Sequence, residues 1–218
     1  MNIIRLVNVS KSYKDKKVLS DVDLDIDAGD FLLICGESGA GKTTLLNIIS
    51  GMEDPNSGSV IVGGIDLNSI KKKDRDQIYR SYFGLIHQNF YLDPKINVYE
   101  NISLAGYIGD MPKDEIKQRV SDLAKKLKIE DVLSSKISEV SGGQVERICV
   151  ARALFMNPKV IIADEPTNNL DQTNKINLLD ILTELRRELG ITVIMVSHDN
   201  TVDRYATKKI TIANGMVE

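Results

Sequence analysis

The chain has 218 residues, with 28 Lys+Arg against 31 Asp+Glu, a net charge of −3, 42% hydrophobic and 27% charged residues. That is ordinary globular composition, long enough to bury a core without disulfide staples, and the near balance of charge gives no electrostatic footprint for nucleic acid. No apolar run approaches the roughly 18 residues of a membrane span, and the start, Met1-Asn2-Ile3-Ile4-Arg5, lacks a signal-peptide pattern, so a cytosolic protein is expected.

Residues 3–9 interleave apolar and polar side chains, and residues 19–26 read Leu, Ser, Asp, Val, Asp, Leu, Asp, Ile; both are expected to be half-buried strands. Between them Tyr13 is an aromatic in an expected polar loop, readable alone as a strand-end packing residue or as a ligand contact. An apolar run at 31–35 then leads into Gly36-Glu37-Ser38-Gly39-Ala40-Gly41-Lys42-Thr43 and a helix-like stretch at 44–50. Strand, glycine loop and helix with the spacing G-x-x-x-x-G-K-[ST] make a phosphate-binding P-loop. The glycines let several N–H groups converge on one anion at a helix N-terminus, Lys42 reaches the β- and γ-phosphates, and Thr43 can complete the shell of a Mg²⁺ bridging them.

A turn at 54–59 precedes a strand at 60–62 ending at Gly63-Gly64, and Lys71-Lys72-Lys73 reads as a solvated helix end. A short apolar run at 83–87 stops at Gln88, followed by an expected loop over 89–97 containing Pro94. Residues 110–129 form the clearest surface helix, with Pro112, Asp114 and Glu115 in its first turn and an apolar face of Ile116, Val120, Leu123 and Leu127. A second glycine stretch, Ser141-Gly142-Gly143-Gln144, opens a helix to about Phe155, ended by Asn157-Pro158.

Residues 160–163 are apolar without alternation, as in a parallel strand buried on both faces, and they deliver Asp164-Glu165 to its carboxyl end. A helix at 176–189 and a strand at 192–196 follow, the strand bringing Ser197-His198-Asp199 to the same sheet edge. The two cysteines, Cys35 and Cys149, lie within apolar segments and read as small hydrophobes, with no metal-ligand spacing. Strands alternating with helices predict an α/β fold with a largely parallel sheet. The residues thus support a Mg²⁺-nucleotide hydrolase, with Lys42 and Thr43 for phosphate and metal, Asp164 for metal and Glu165 polarising the attacking water. Ser141-Gly142-Gly143 is left over: on spacing alone, a helix cap and a second anion clamp serving a neighbouring copy are equal readings.

The chain resembles the nucleotide-binding subunit of an ATP-binding cassette (ABC) transporter over essentially its whole length. The matches fall in order: Tyr13, the P-loop, Gln88, Val140-Ser141-Gly142-Gly143-Gln144, residues 160–165 and His198. The resemblance implies a single domain over 1–218: a RecA-like P-loop NTPase core with a mainly parallel sheet, a small antiparallel β subdomain, and an inserted α-helical subdomain at about 89–155. It implies that two subunits sandwich two ATP molecules head to tail. Tyr13 would stack on adenine, a contact worth roughly 1–3 kcal/mol, while Gly36 through Thr43, with Thr44, would hold the phosphates. Gln88 would sense Mg²⁺ and water, Ser141, Gly142, Gly143 and Gln144 would grip the γ-phosphate in trans, His198 would read it from behind, and Asp171 would cross the dimer interface.

Three positions depart from the family pattern. Val140 stands for the common leucine, Asn168 for a usual small residue, and Val145-Glu146-Arg147 puts an acid where glutamine or lysine is frequent, expected in a first turn where the helix dipole tolerates it. The segment 84–94 with Glu100-Asn101-Ile102 is similar to the branch of macrolide exporters, lipoprotein-release ATPases, peptide-antibiotic resistance pumps and the division-linked ATPase. That likeness implies a separate integral-membrane permease docking near the loop after Gln88, a peripheral location on the cytoplasmic face of the membrane, and export or extraction of a hydrophobic, peptide or lipoprotein substrate. The alternative is a regulatory clamp that dimerises on ATP and signals to a membrane or division complex without transport.

Overall fold

In the computed structural model, residues 2–14 and 16–218 are described. The chain opens with β1 (Asn2–Tyr13) and β2 (Lys16–Asp27), paired antiparallel with Ile4 opposite Ile26 and Leu6 opposite Leu24. Both are longer than the sequence pattern predicts, because irregularities interrupt the alternation. At Asp21 the backbone turns to φ 47 and the register shifts. Leu19 and Val22, three residues apart, are therefore both buried, where unbroken alternation would have put them on opposite faces. Tyr13 is accordingly the last residue of β1 and not part of a loop.

Next come β3 (Phe31–Gly36), α1 (Lys42–Ile49), β4 (Ser57–Val62), β5 (Ile65–Asp66), α2 (Lys72–Tyr82) and β6 (Phe83–His87). The lysine run at 71–73 does stand exposed at a helix end, the start of α2. A helix that the sequence pattern did not predict, α3 (Val98–Ile108), begins at Asn97, whose side chain accepts from the Glu100 backbone N–H while the Glu100 carboxylate accepts from that of Asn97. Then follow α4 (Lys113–Leu127), α5 (Gly142–Leu154), β7 (Val160–Asp164), α6 (Gln172–Leu189) and β8 (Thr192–Val196). Pro112 precedes the first turn of α4 as its cap residue. Two unpredicted strands, β9 (Lys208–Ala213) and β10 (Met216–Val217), close the chain.

Among the described residues the strands form an antiparallel sheet, β2-β1-β4-β5, and a larger sheet, β10-β9-β3-β8-β7-β6, in which only the β9–β10 pairing is antiparallel. The larger sheet divides the core. Phe31, Leu33, Ile161, Ala163, Val193 and Met195 face α3 to α6, whereas Leu32, Ile34, Val160, Ile162, Ile194 and Val196 face α1 and the antiparallel sheet. Burial on both faces explains the absence of alternation in these strands. The stretch 89–155 contributes α3, α4 and α5.

One close approach fixes α5 against the sheet. A Cβ placed on Gly84 of β6 would lie 2.3 Å from the Ala153 carbonyl oxygen. Gly84→Ala is therefore expected to lower stability by about 1–3 kcal/mol through overpacking; a chemical denaturation curve with an unshifted midpoint would contradict it.

Candidate active site

The parallel registers align the carboxyl ends of four strands. Ile34 of β3 lies beside Val196 of β8, Val196 beside Asp164 of β7, and Asp164 beside His87 of β6. The glycine loop, Ser197-His198, Asp164-Glu165 and Gln88 therefore emerge along one sheet edge, where open α/β sheets take their ligands.

The loop after β3 adopts positive φ at Gly36 (145), Gly39 (79) and Gly41 (105), conformations that favour glycine. Gly41 caps α1 without any side-chain bond, which leaves the helix N-terminus to an incoming anion. Lys42 folds back over the loop, its Nζ donating to the carbonyls of Gly36 at 2.7 Å and Glu37 at 2.9 Å. Gly36, Glu37, Ser38, Gly39 and Ala40, with Lys17, Val18 and residues 211–215, line a cavity of about 910 Å³, roomy enough for a nucleotide. Tyr13 is 45% exposed; its hydroxyl donates to the Glu53 carboxylate, and Lys11 Nζ lies over its ring, 5.4 Å from the centroid.

Burial raises the pKa of Asp164, and the neighbouring Glu165 charge adds to the effect; the Thr43 hydroxyl hydrogen-bonds the carboxyl and opposes it. Asp164 Oδ1 is buried with no hydrogen-bond partner. An orphaned carboxylate oxygen beside a threonine hydroxyl fits a hard divalent cation that takes its remaining ligands from phosphate and water. Gln88, exposed in the turn after β6, makes no hydrogen bond to Thr43 or Asp164.

Glu165 adopts φ 49, rare for a non-glycine residue and held here by its N–H donating to the Val196 carbonyl at 3.0 Å. Its Oε2 lies 2.8 Å from His198 Nδ1, with the His198 side chain 65% exposed and that of Glu165 18% exposed. Burial lowers the pKa of His87, the Arg152 charge lowers it further, and Asp164 partly opposes both.

The second glycine stretch lies elsewhere. Ser141 caps α5 in a reciprocal box: its N–H donates to Gln144 Oε1 at 2.9 Å, and its Oγ accepts weakly from the Gln144 N–H at 3.4 Å. The helix-cap reading is thus observed, yet no hydrogen bond links residues 141–144 to the chain's own P-loop. Asn174 stands nearby with room for a side-chain carbon between: a Cβ on either Gly142 or Gly143 would meet its side-chain amide at 3.4 Å. Asn174 in turn donates from its N–H and Nδ2 to the carboxylate of Asp171, the cap of α6.

Glu146 departs from its expected setting. It sits in the second turn of α5, fully buried, with neither carboxylate oxygen partnered. The helix dipole therefore does not account for it.

Sequence reading missed three supports that only tertiary packing creates. Arg152 donates to the carbonyls of Phe90 and Tyr91, holding the segment after Gln88. Asn174 stands beside the second glycine stretch, and Lys175 on α6 pairs with Asp199 at 2.6 Å beside His198.

A glycine loop with an inward lysine, an orphaned carboxylate at the end of β7 and a glutamate against a histidine define a P-loop nucleotide hydrolase. The chain belongs to the ABC transporter family as an ATP-binding, ATP-hydrolysing domain, since that family's profile matches residues 19–168. It is 40% identical to a methionine import ATP-binding protein, MetN, of Clostridium acetobutylicum, over 99% of this chain and 67% of that protein. Among solved structures it is similar to the ATP-binding cassette MJ0796 in a dimeric post-hydrolysis state bound to ADP and Pi, with TM-score 0.86, 35% identity, and coverage of 99% and 96%. It is also similar to cbiO1 of Clostridium perfringens, part of the transporter complex cbiONQ, with TM-score 0.91, 29% identity, and coverage of 100% and 87%.

Proposed function

We propose that two copies of this chain close head to tail around two Mg-ATP and drive a separate integral-membrane permease from its cytoplasmic face. The supporting observation is the second glycine turn, with a hydroxyl and helix-start N–H groups near the surface and unbonded to its own P-loop. The dimeric form of MJ0796 supports a dimer of such chains.

In this reading residues 36–44 wrap the phosphates, and Lys42 exchanges the carbonyls of Gly36 and Glu37 for the β- and γ-phosphates. Tyr13, held through Glu53 and Lys11, offers a ring face to adenine. Thr43, Asp164 and Gln88 would hold Mg²⁺, which supplies charge neutralisation on the transferred phosphoryl group. Glu165 takes the proton of the attacking water, and ADP departs with the bond electrons. His198 has one ring nitrogen beside the Glu165 carboxylate and presents the other to the γ-phosphate. Ser141, Gly142, Gly143 and Gln144 complete the partner copy's site, and Asp171 lies at the crossing between the two sites.

For the permease, a surface groove of about 510 Å³ lies beside Gln88, lined by Leu85, His87, Ala105, Ile108 and Met156 among others. Tyr91 and Ile108 stand 66% and 64% exposed there, an apolar strip suited to an amphipathic helix. The likeness of residues 84–94 to the macrolide-exporter branch favours export or extraction of a hydrophobic, peptide or lipoprotein substrate. A relative named for methionine import matches 99% of the chain at 40% identity, so flux with the permease must be read in both directions. Hydrolysis without flux in either would replace this reading with the regulatory clamp.

The dimer is tested by light scattering on Glu165→Gln, with and without Mg-ATP, beside a double variant that also carries Ser141→Arg. An ATP-dependent dimer lost in the double variant is expected. A dimer that survives Ser141→Arg would remove residues 141–144 from the partner's site.

A further inference from the structure

The Tyr13 hydroxyl meets a segment that follows the P-loop helix. Residues 53–56 close on the end of β1 with main chain and side chains together. The Asn56 N–H donates to the Ser10 carbonyl at 2.9 Å, the Ser12 N–H donates to Asn56 Oδ1 at 2.6 Å, and Lys11 Nζ donates to the Asp54 carbonyl at 2.6 Å. Glu53 opens this clasp: its carboxylate accepts from the Tyr13 hydroxyl and pairs with Lys11 Nζ at 2.9 Å. The Lys11 and Glu53 side chains are 12% and 22% exposed, so salt screens the pair less than an ordinary surface ion pair. A carboxylate suits this double duty, since its two oxygens take several bonds at once and its charge strengthens both.

The same segment is anchored to the phosphate side of the site. The Glu53 N–H donates to the Asn47 carbonyl at 3.1 Å, and the Gly51 N–H to the Ile48 carbonyl at 3.2 Å, both in the last turns of α1, the helix that begins at Lys42. Tyr13, in contrast, is the exposed last residue of β1, and the chain turns immediately after it at Lys14, with φ 51. An aromatic side chain at such a strand end samples several rotamers unless something holds it. Through Glu53 the ring is fastened to the helix whose other end carries the phosphate groups of the site.

We propose that Glu53 is a positioning residue for the nucleobase: it fixes the Tyr13 ring relative to α1, so that base platform and phosphate loop stand at one spacing before the nucleotide arrives. The ring then loses its rotamer freedom on folding, and that loss no longer opposes binding. The inference rests on the reading of Tyr13 as the adenine platform.

The experiment measures Mg-ATP affinity by calorimetric titration in wild type, Glu53→Ala, Tyr13→Phe, the double variant and Tyr13→Ala. Each titration is repeated with inorganic tripolyphosphate, which has the phosphate chain and no base. Tyr13→Phe keeps the ring and removes the hydroxyl that Glu53 holds, so it carries the test should Glu53→Ala fail to fold. Glu53→Ala and Tyr13→Phe should each weaken ATP binding by about 3- to 10-fold, the effect of ordering one side chain on binding. The double variant should bind no more weakly than Glu53→Ala, because both substitutions cut the same bond. Tyr13→Ala should lose about 5- to 100-fold, the worth of the stacked ring. Tripolyphosphate affinity should match wild type throughout, an outcome that a damaged α1 or P-loop would not give.

Wild-type ATP affinity in Glu53→Ala or in Tyr13→Phe, or losses that multiply in the double variant, overturns the role of Glu53. An equal loss for ATP and tripolyphosphate overturns it as well, by making Glu53 a support of α1 alone. In each of these cases a weakened Tyr13→Ala leaves the adenine platform standing, whereas wild-type ATP affinity in Tyr13→Ala removes the platform and the proposal with it.

Discussion

Lys42→Ala is expected to abolish ATP turnover and to weaken nucleotide binding by at least about 10- to 100-fold, the loss of one or more charge-assisted bonds of roughly 1.5–3 kcal/mol each. Lys42 Nζ already sits across the mouth of the loop, donating to the carbonyls of Gly36 and Glu37. An ammonium held 2.7 and 2.9 Å from two carbonyls moves to phosphate with little reorganisation, and alanine leaves the phosphate charge to backbone N–H groups alone. Calorimetric titration with ATP and phosphate-release assays read the two effects separately. A thermal melt separates them from the looser P-loop that loss of the two lysine bonds also produces. Affinity and turnover equal to wild type would remove Lys42 from the phosphate site.

What the sequence makes legible here is local or doubly buried. The P-loop needs only its own glycines and flanking elements, and β7 and β8 were readable because strands covered on both faces carry unbroken apolar runs. Elements defined by distant partners were not. β9 carries two lysines and becomes a strand by pairing with β3, Leu32 opposite Lys208, a contact across most of the chain. The cap of α3, Asn97 with Glu100, adjoins the Pro94 loop, whose expected span of 89–97 takes in Asn97.

The site divides in the same way. Residue types and spacing pointed to Lys42, Thr43, Asp164 and Glu165, the family resemblance added His198, and the parallel registers bring their strand ends to one edge. Glu146 was misplaced because a helix-dipole argument considers one helix in water, whereas α5 is enclosed by α3, α4, α6 and β6. Its burial is a property of those neighbours.

Glu165→Gln is expected to reduce kcat by roughly 10²- to 10⁴-fold, the usual size of a general-base contribution, with ATP affinity near wild type. The substitution keeps size and hydrogen-bonding atoms, so the turn at φ 49 and its bond to Val196 should persist, and the side-chain oxygen can still meet His198 Nδ1. What is lost is the carboxylate's negative charge, and with it the basicity that takes the water's proton. The phosphate contacts of Lys42 and the glycine loop lie outside this change, so binding and turnover should separate: unaltered titration curves with a collapsed rate of phosphate release. Single-turnover measurements with pre-bound Mg-ATP place the defect in chemistry and not in ADP release. Wild-type turnover in Glu165→Gln would assign the proton to another group, and His198, 2.8 Å away on the same sheet edge, would be the residue to substitute next.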